Sequence, residues 1–200
     1  MKVILKDVRL AFPQIWTPKP FPGQKDAVPK FNCTLLFPKD HPAFKDVMDA
    51  IVEVTKEARP KDWEEFLTSI KGNSNKYCFI DGNTKKTVEG YEGNYALSAG
   101  NKTRPAIKSN VKGPDGKFVD TVESDGLIYG GCQVHAILDI WCQVKTYPGV
   151  RCRLDGLQFC RDNDHFAGGG VASEDDFGDL SDGADAPDIG GATGTGGGFV

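Results

Sequence analysis

Positive charge runs out at Arg161: the 39 residues that follow hold no Lys or Arg. All 24 basic residues therefore fall within residues 1–161, against 19 of the 28 acids. A mildly basic body of net charge +5 is joined to an acidic end, and the net charge of −4 for the whole sequence averages the two. Charge asymmetry of this kind points to a polyanionic partner for the basic part, with the acidic part as its competitor or as bait for other proteins. The acidic end is low in complexity, built from Gly, Asp and small residues. It reads as a disordered tail over 166–200 behind a single domain over 1–165.

Other absences narrow the chemistry. The six cysteines, at 33, 78, 132, 142, 152 and 160, form no Cys-x-x-Cys pair, and His41, His135 and His165 do not stand at ligand spacing beside them. That argues against a zinc site, and no metal or cofactor is expected. Cys132 and Cys142 share parity with Val134, Ala136, Leu138, Ile140 and Val144, which suits small buried side chains in a reducing compartment. No charged start with an apolar stretch marks a secretory signal, and no apolar run approaches the ~18 residues of a membrane span. The expected location is the cytosol, without a membrane partner. There is no Walker A loop, no Gly-x-Ser-x-Gly elbow and no His-Glu-x-x-His helix. Asp139 alone could serve a metal-dependent nuclease, but a single acid between Ile137 and Trp141 is weak support, so the chain reads as no enzyme.

Periodicity predicts a mainly β, α+β fold. Lys2–Phe12 alternates as a strand, with Val3 and Leu5 inward and Val8 and Leu10 inward after an irregularity. Pro13, Pro18, Pro20, Pro22 and Pro29 then predict a loop carrying Trp16 and Phe21, where a large ring must plug the core or meet a ligand. A second strand, Phe31–Phe37, precedes a helix capped by Asp40, with Phe44, Val47, Met48, Ile51 and Val52 on one face. Pro60 opens a shorter helix carrying Trp63, Phe66, Leu67 and Ile70, ended by Gly72. Strands follow at 76–80, 94–99, 105–111, 118–122, 131–145 and 150–160, with Gly130 and Gly131 placed for a bulge. Strands, two helices and a meander suit a small closed or partly open antiparallel barrel with side-packed helices.

A groove for nucleic acid needs cations along the phosphates and flat rings for the bases, and it needs no fixed motif. The chain interleaves the two. Lys76 adjoins Tyr77; Lys85 and Lys86 precede Tyr91 and Tyr95; Lys102, Arg104 and Lys108 border the strand at Pro105. Trp141 and Lys145 share parity on the longest strand, and Arg151 and Arg153 alternate on the last. These residues point to a backbone set of Lys76, Lys102, Arg104, Lys108, Lys145, Arg151 and Arg153, with Tyr77, Tyr95 and Trp141 as stacking rings. In the tail, Asp175, Asp176 and Phe177, and the penultimate Phe199, place apolar anchors in polar coil as candidate contacts for protein partners.

Arg104-Pro105, Tyr129-Gly130-Gly131-Cys132, Ile140-Trp141, Leu154-Asp155-Gly156-Leu157-Gln158-Phe159, Arg161-Asp162 and Asp175-Asp176-Phe177 together resemble a family of phage-encoded single-stranded-DNA-binding proteins. The likeness spans nearly the whole chain and is similar in plan to T7-type binding proteins. It implies an OB-type barrel that coats single-stranded DNA with little sequence preference in replication or recombination, inside the infected bacterium. It also implies replication or recombination proteins as partners of the acidic tail. Two features depart from the pattern: Val200 follows Phe199, and both helices come after the second strand. A barrel-fold phage assembly protein is the alternative reading, ahead of the nuclease.

Overall fold

A computed structural model describes residues 1–20 and 28–166, all within the unit spanning Met1–Gly169. Side-chain alternation makes β1 (Lys2–Lys19) a two-faced strand that buries Val3 and Leu5 while Lys2, Ile4 and Lys6 face outward. Asp7 (φ 54°) and Phe12 (φ 49°) take left-handed backbone conformations, and the pairing register slips at both places. The first slip is the irregularity that turns Val8 and Leu10 inward. The strand then continues through Pro13 and Pro18, further than its prolines suggested, because both fall where the register slips and the ladder asks no N–H of them. Trp16 therefore lies on a strand and not on a loop, while Phe21 lies outside the described residues.

β2 (Lys30–Pro38) returns beside β1, followed by α1 (Ala43–Ala58), α2 (Trp63–Ile70), β3 (Phe79–Asp81), β4 (Asn94–Asn101), β5 (Ala106–Lys112), β6 (Phe118–Asp120), β7 (Gln133–Gln143) and β8 (Gly149–Arg161). Both helices start later than the sequence suggested. Asp40 lies too early to cap α1; the ring nitrogen Nδ1 of His41 accepts the Ala43 N–H instead, at 3.1 Å. α2 begins at Trp63, not Pro60, and Gly72 (φ 83°) follows its end.

The strands form one sheet in the order β3-β4-β2-β1-β7-β8-β5-β6, antiparallel except where β5 meets β8. The run 94–112 shapes it. Its first part, β4, pairs with β2; beyond the corner at residues 102–105, its second part, β5, pairs with β8. One stretch of chain thus touches both flanks of the sheet, and the Asn101 amide donates to the Leu154 carbonyl at 2.9 Å. A second join is the bridge between Tyr77 and Val150, where Val150 N donates to the Lys76 carbonyl and Cys78 N to the Val150 carbonyl. The sheet is therefore curled and OB-like, with α1 packed on it through Val47 and Ile51. Leu5, Leu10, Leu35, Leu97, Leu138, Ile140 and Leu154 fill the interior. Cys33, Cys78 and Cys152 are buried with them as free thiols, and burial pushes the Cys33 and Cys78 thiols up to about 12.

The first bulge carries a pH-sensitive pair. Arg161 donates to both Asp7 carboxylate oxygens, at 3.1 and 2.7 Å, and holds this carboxyl below its ordinary 3.8 against a smaller opposing effect of burial. A carboxyl lowered in the folded state contributes stability above the unfolded pKa, and loses it as pH falls through the folded value. The pair is open to solvent, so the contribution is small and screened by salt. Asp7→Asn keeps a residue tolerant of positive φ. It should lower the melting temperature slightly at pH 7 and by progressively less as pH falls below ~3.8, a trend that thermal melts across the acid range will read.

Candidate nucleic-acid interface

The outer face of β1, β2 and β4 combines what an unpaired strand requires. Residues pointing away from the interior line up across the strands: Asn32 stands opposite Gly100, and Thr34 opposite Ser98. Gln14 of β1 is opposite Asn32 and accepts its amide hydrogen at 2.9 Å. Asn32, Gly100 and Ser98 make this floor polar and low, while Thr34 is buried beneath it. Rings border it. Phe12 is 49% exposed at its bulge, aimed outward by the positive φ, 6.4 Å from the Tyr91 ring. Trp16 is half-buried, with the Arg104 guanidinium 5.5 Å from its centroid. These two residues open onto a shallow recess of about 560 Å³ completed by Val122, Glu123 and Ser124.

The charge on this face has no carboxylate counterpart among the described residues. Lys19 and Lys30 stand directly opposite each other where β1 and β2 part. Like charges so placed destabilise a strand pair, a cost that a phosphate lying between them removes. Lys102 and Arg104 are exposed at the corner between β4 and β5. Among the described residues, none of these four cations has a carboxylate partner.

The residues singled out from sequence are spread over several places. Lys102 and Arg104 join this face, whereas Lys108 is held by Asp120 at 2.6 Å. Lys76, Lys145 and Arg151 gather around the β7–β8 turn, where Arg151 donates to the Asn75 and Tyr147 carbonyls. Tyr147 is 80% exposed there, a ring the sequence reading passed over. Trp141 is on the outer face of β7, paired with Arg151. Arg153 lies between Asp139 and Asp155, which neutralise it. Asp139 itself is engaged by the N-terminal amine, and the described residues hold no cluster of three His, Cys, Asp or Glu for a metal.

Two rings require correction. Tyr77 is only 6% exposed and meets Phe79 edge-on; burial raises its hydroxyl pKa and leaves no face for a base. Tyr95 is stacked on Phe44 at 4.7 Å, with the Lys39 ammonium 5.5 Å from its centroid, so it serves packing. Both point inward because the curl of the sheet places residues 77–79 against β8 and β4, a long-range fact that local alternation does not carry. Phe12, Lys19 and Lys30 were missed. The available signal was the position of both lysines at the ends of a proline-rich connection between two strands.

The described chain ends on this same outer face. The Tyr129 ring stacks on His165 at 3.9 Å, Arg9 donates to the Asp164 carbonyl, and its guanidinium sits 4.1 Å over Phe166. Phe166 is buried with Ala11, Leu36, Ile80, Tyr91 and Ala96 in a small cluster outside the main core. Tyr91 of that cluster is the neighbour of Phe12. The acidic segment, with Asp175, Asp176, Phe177 and Phe199, lies outside the described residues.

The fold places the chain in the OB-like class. Residues 1–187 match the family described as the single-stranded-DNA-binding protein of Enterobacter phage Enc34. Protein p50 of Acyrthosiphon pisum secondary endosymbiont phage 1 is 37% identical over 183 residues, covering 90% of this chain and 95% of that protein. The chain belongs to the Enc34 single-stranded-DNA-binding protein family. Among solved structures, the bacteriophage Enc34 protein in complex with single-stranded DNA superposes with a TM-score of 0.63 at 24% identity, over 82% of this chain and 89% of that one. The single-stranded-DNA-binding protein gp2.5 of bacteriophage T7 shares the fold, with a TM-score of 0.54 at 13% identity over 86% and 97%. Family and neighbours are binding proteins, not enzymes.

Proposed function

We propose that this protein binds single-stranded DNA, with little sequence preference, across the outer face of β1, β2 and β4. The observation that carries the reading is the coincidence of exposed Phe12 and half-buried Trp16 with four cations that have no carboxylate partner among the described residues, around a polar floor. Rings supply sequence-tolerant stacking and cations supply the salt-dependent affinity. Its setting is phage DNA replication or recombination in the cytoplasm of the infected bacterium.

The acidic tail is the built-in competitor. The described chain ends at Phe166, which packs in one cluster with Tyr91, the neighbour of Phe12, and a polyanion continuing from that point competes with the strand through its high effective concentration until a bound strand expels it. Once expelled, its Asp175, Asp176, Phe177 and Phe199 are free to recruit replication or recombination proteins.

A gel shift with a labelled 30-mer, run with and without magnesium, tests the function. Binding without degradation is expected; loss of the oligonucleotide in magnesium favours a nuclease, and no retention favours an assembly protein. Deletion after Ala167 should tighten binding at low salt, and equal affinity of the two forms removes the tail from the mechanism. If Lys19, Lys30, Lys102 and Arg104 each neutralise a phosphate, the slope of log affinity against log salt is about −3. Affinity then falls roughly 50-fold between 50 and 200 mM salt, and each single alanine variant shallows the slope by about 0.7. A titration series in salt measures both.

A further inference from the structure

Exposed apolar surface concentrates on the β5–β6 hairpin, which the sheet-face site does not use. Val111 (61%), Phe118 (39%), Val119 (45%) and Val122 (50%) all lie on it or just beyond it. β6 is one edge of the sheet and only three residues long, and among the described residues no helix or strand lies beyond it in the sheet order. Lys112 is opposite Phe118 in the ladder, and its ammonium stands 5.4 Å from the ring centroid. Lys112 has no carboxylate partner among the described residues, whereas Lys108 is taken by Asp120 and Lys117 lies 3.9 Å from Asp115.

Ring and free cation thus form a unit like that of Trp16 and Arg104. The two units are connected. The Trp16–Arg104 recess has Val122, Glu123 and Ser124 as its other wall, the segment directly after β6. A second hollow of about 240 Å³ runs from Arg104 through Ala106 and Ile107 to Asp120 and Val122. The two hollows share Arg104 and Val122, so a strand leaving the sheet face past Arg104 meets them in succession on the way to β6, with Glu123 and the Lys108-paired Asp120 as carboxylates on the rim.

We propose that the β5–β6 hairpin is a second station of the DNA track, where Phe118 receives a base and Lys112 the adjoining phosphate of a strand that already crosses the sheet face. This inference rests on the function proposed above. A protein partner would be served by an apolar patch alone; the lysine held over the ring favours a stacked, anionic polymer.

Oligonucleotide length separates the two stations. An OB module covers about 4–16 nucleotides, so a ~6-mer is held by the sheet face alone, while a ~16-mer reaches the hairpin. The full chain and its Phe118→Ala and Lys112→Ala variants are titrated with both oligo-dT lengths, with melting curves recorded in parallel. The expected result is unchanged affinity for the short strand, a 5- to 20-fold loss for the long one, and recovery with Phe118→Trp. Equal binding of wild type and variants at both lengths overturns the hairpin station while leaving the sheet face intact. Equal losses at both lengths also overturn it, since Phe118 then acts through the sheet face or the fold. If Phe118→Ala instead abolishes self-association seen by sedimentation without DNA, the patch joins copies of the protein and the station is wrong. Failure of the wild type to bind either strand rejects the underlying function itself, a result distinct from the others.

Discussion

Phe12→Gly should bind single-stranded DNA roughly 5- to 150-fold more weakly than wild type while unfolding at nearly the same temperature. The affinity loss follows from removing a stacked ring, worth about 1–3 kcal/mol per base. The unchanged stability follows from backbone geometry. Phe12 sits at φ 49°, where a side chain costs roughly 1–2 kcal/mol and glycine costs nothing. Against that relief stand the entropy of an added glycine, about 0.5–1 kcal/mol, and the buried half of one ring, about 1 kcal/mol. The terms nearly cancel.

A bulky ring in a conformation that suits glycine, exposed on a surface, gains the fold little. Strain of this sort persists where function uses it, and here the bulge turns the ring outward beside Tyr91. Fluorescence titration with oligo-dT and a thermal melt together decide the matter. If Phe12→Gly binds as tightly as wild type, the ring is not a platform. If it unfolds far below wild type, the ring belongs to the small outer cluster around Tyr91.

What could be read from the residues follows how local each feature is. The alternation of β7 is a property of successive residues, so its inward Val134, Ala136, Leu138 and Ile140 were legible, and so was the apolar face of α1. The split in charge at Arg161 was equally plain. The facing of Tyr77 and Tyr95 was not, because it depends on which distant strand wraps over each ring. The same limit hid the binding face: Lys19 and Lys30 meet only when β1 persists through its prolines, and persistence depends on register slips fixed by pairing with β2. Lys102 and Arg104 were found by composition, and their partner Trp16 was recognised as a ring in need of a role but placed on a loop. The nearby arginines at 151 and 153 show the converse, since alternation exposed them while hydrogen bonds and ion pairs occupy them.

The mirror-image variant is Gly149→Ala, expected to lower stability by about 3 kcal/mol and to leave the affinity of the folded protein unchanged. A Cβ at this position would stand 2.3 Å from the Lys76 carbonyl oxygen and 3.0 Å from its carbon, and these are backbone atoms, not the far end of a flexible side chain. The displaced carbonyl is the acceptor of Val150 N, and Cys78 N donates to Val150 in return. Overpacking costs about 1–3 kcal/mol and each weakened hydrogen bond about 0.5–1.5, which together support the figure. In a domain of this size the melting temperature should fall by roughly 6–12 °C. An unchanged melt means that the join between residues 76–78 and β8 contributes little to holding the curled sheet. Binding measured at low temperature adds a second discrimination, because this join sits where Lys76, Lys145 and Arg151 converge on the β7–β8 turn. Wild-type affinity there assigns the DNA to the outer face of β1, β2 and β4; a loss in the folded protein moves part of the track to the turn.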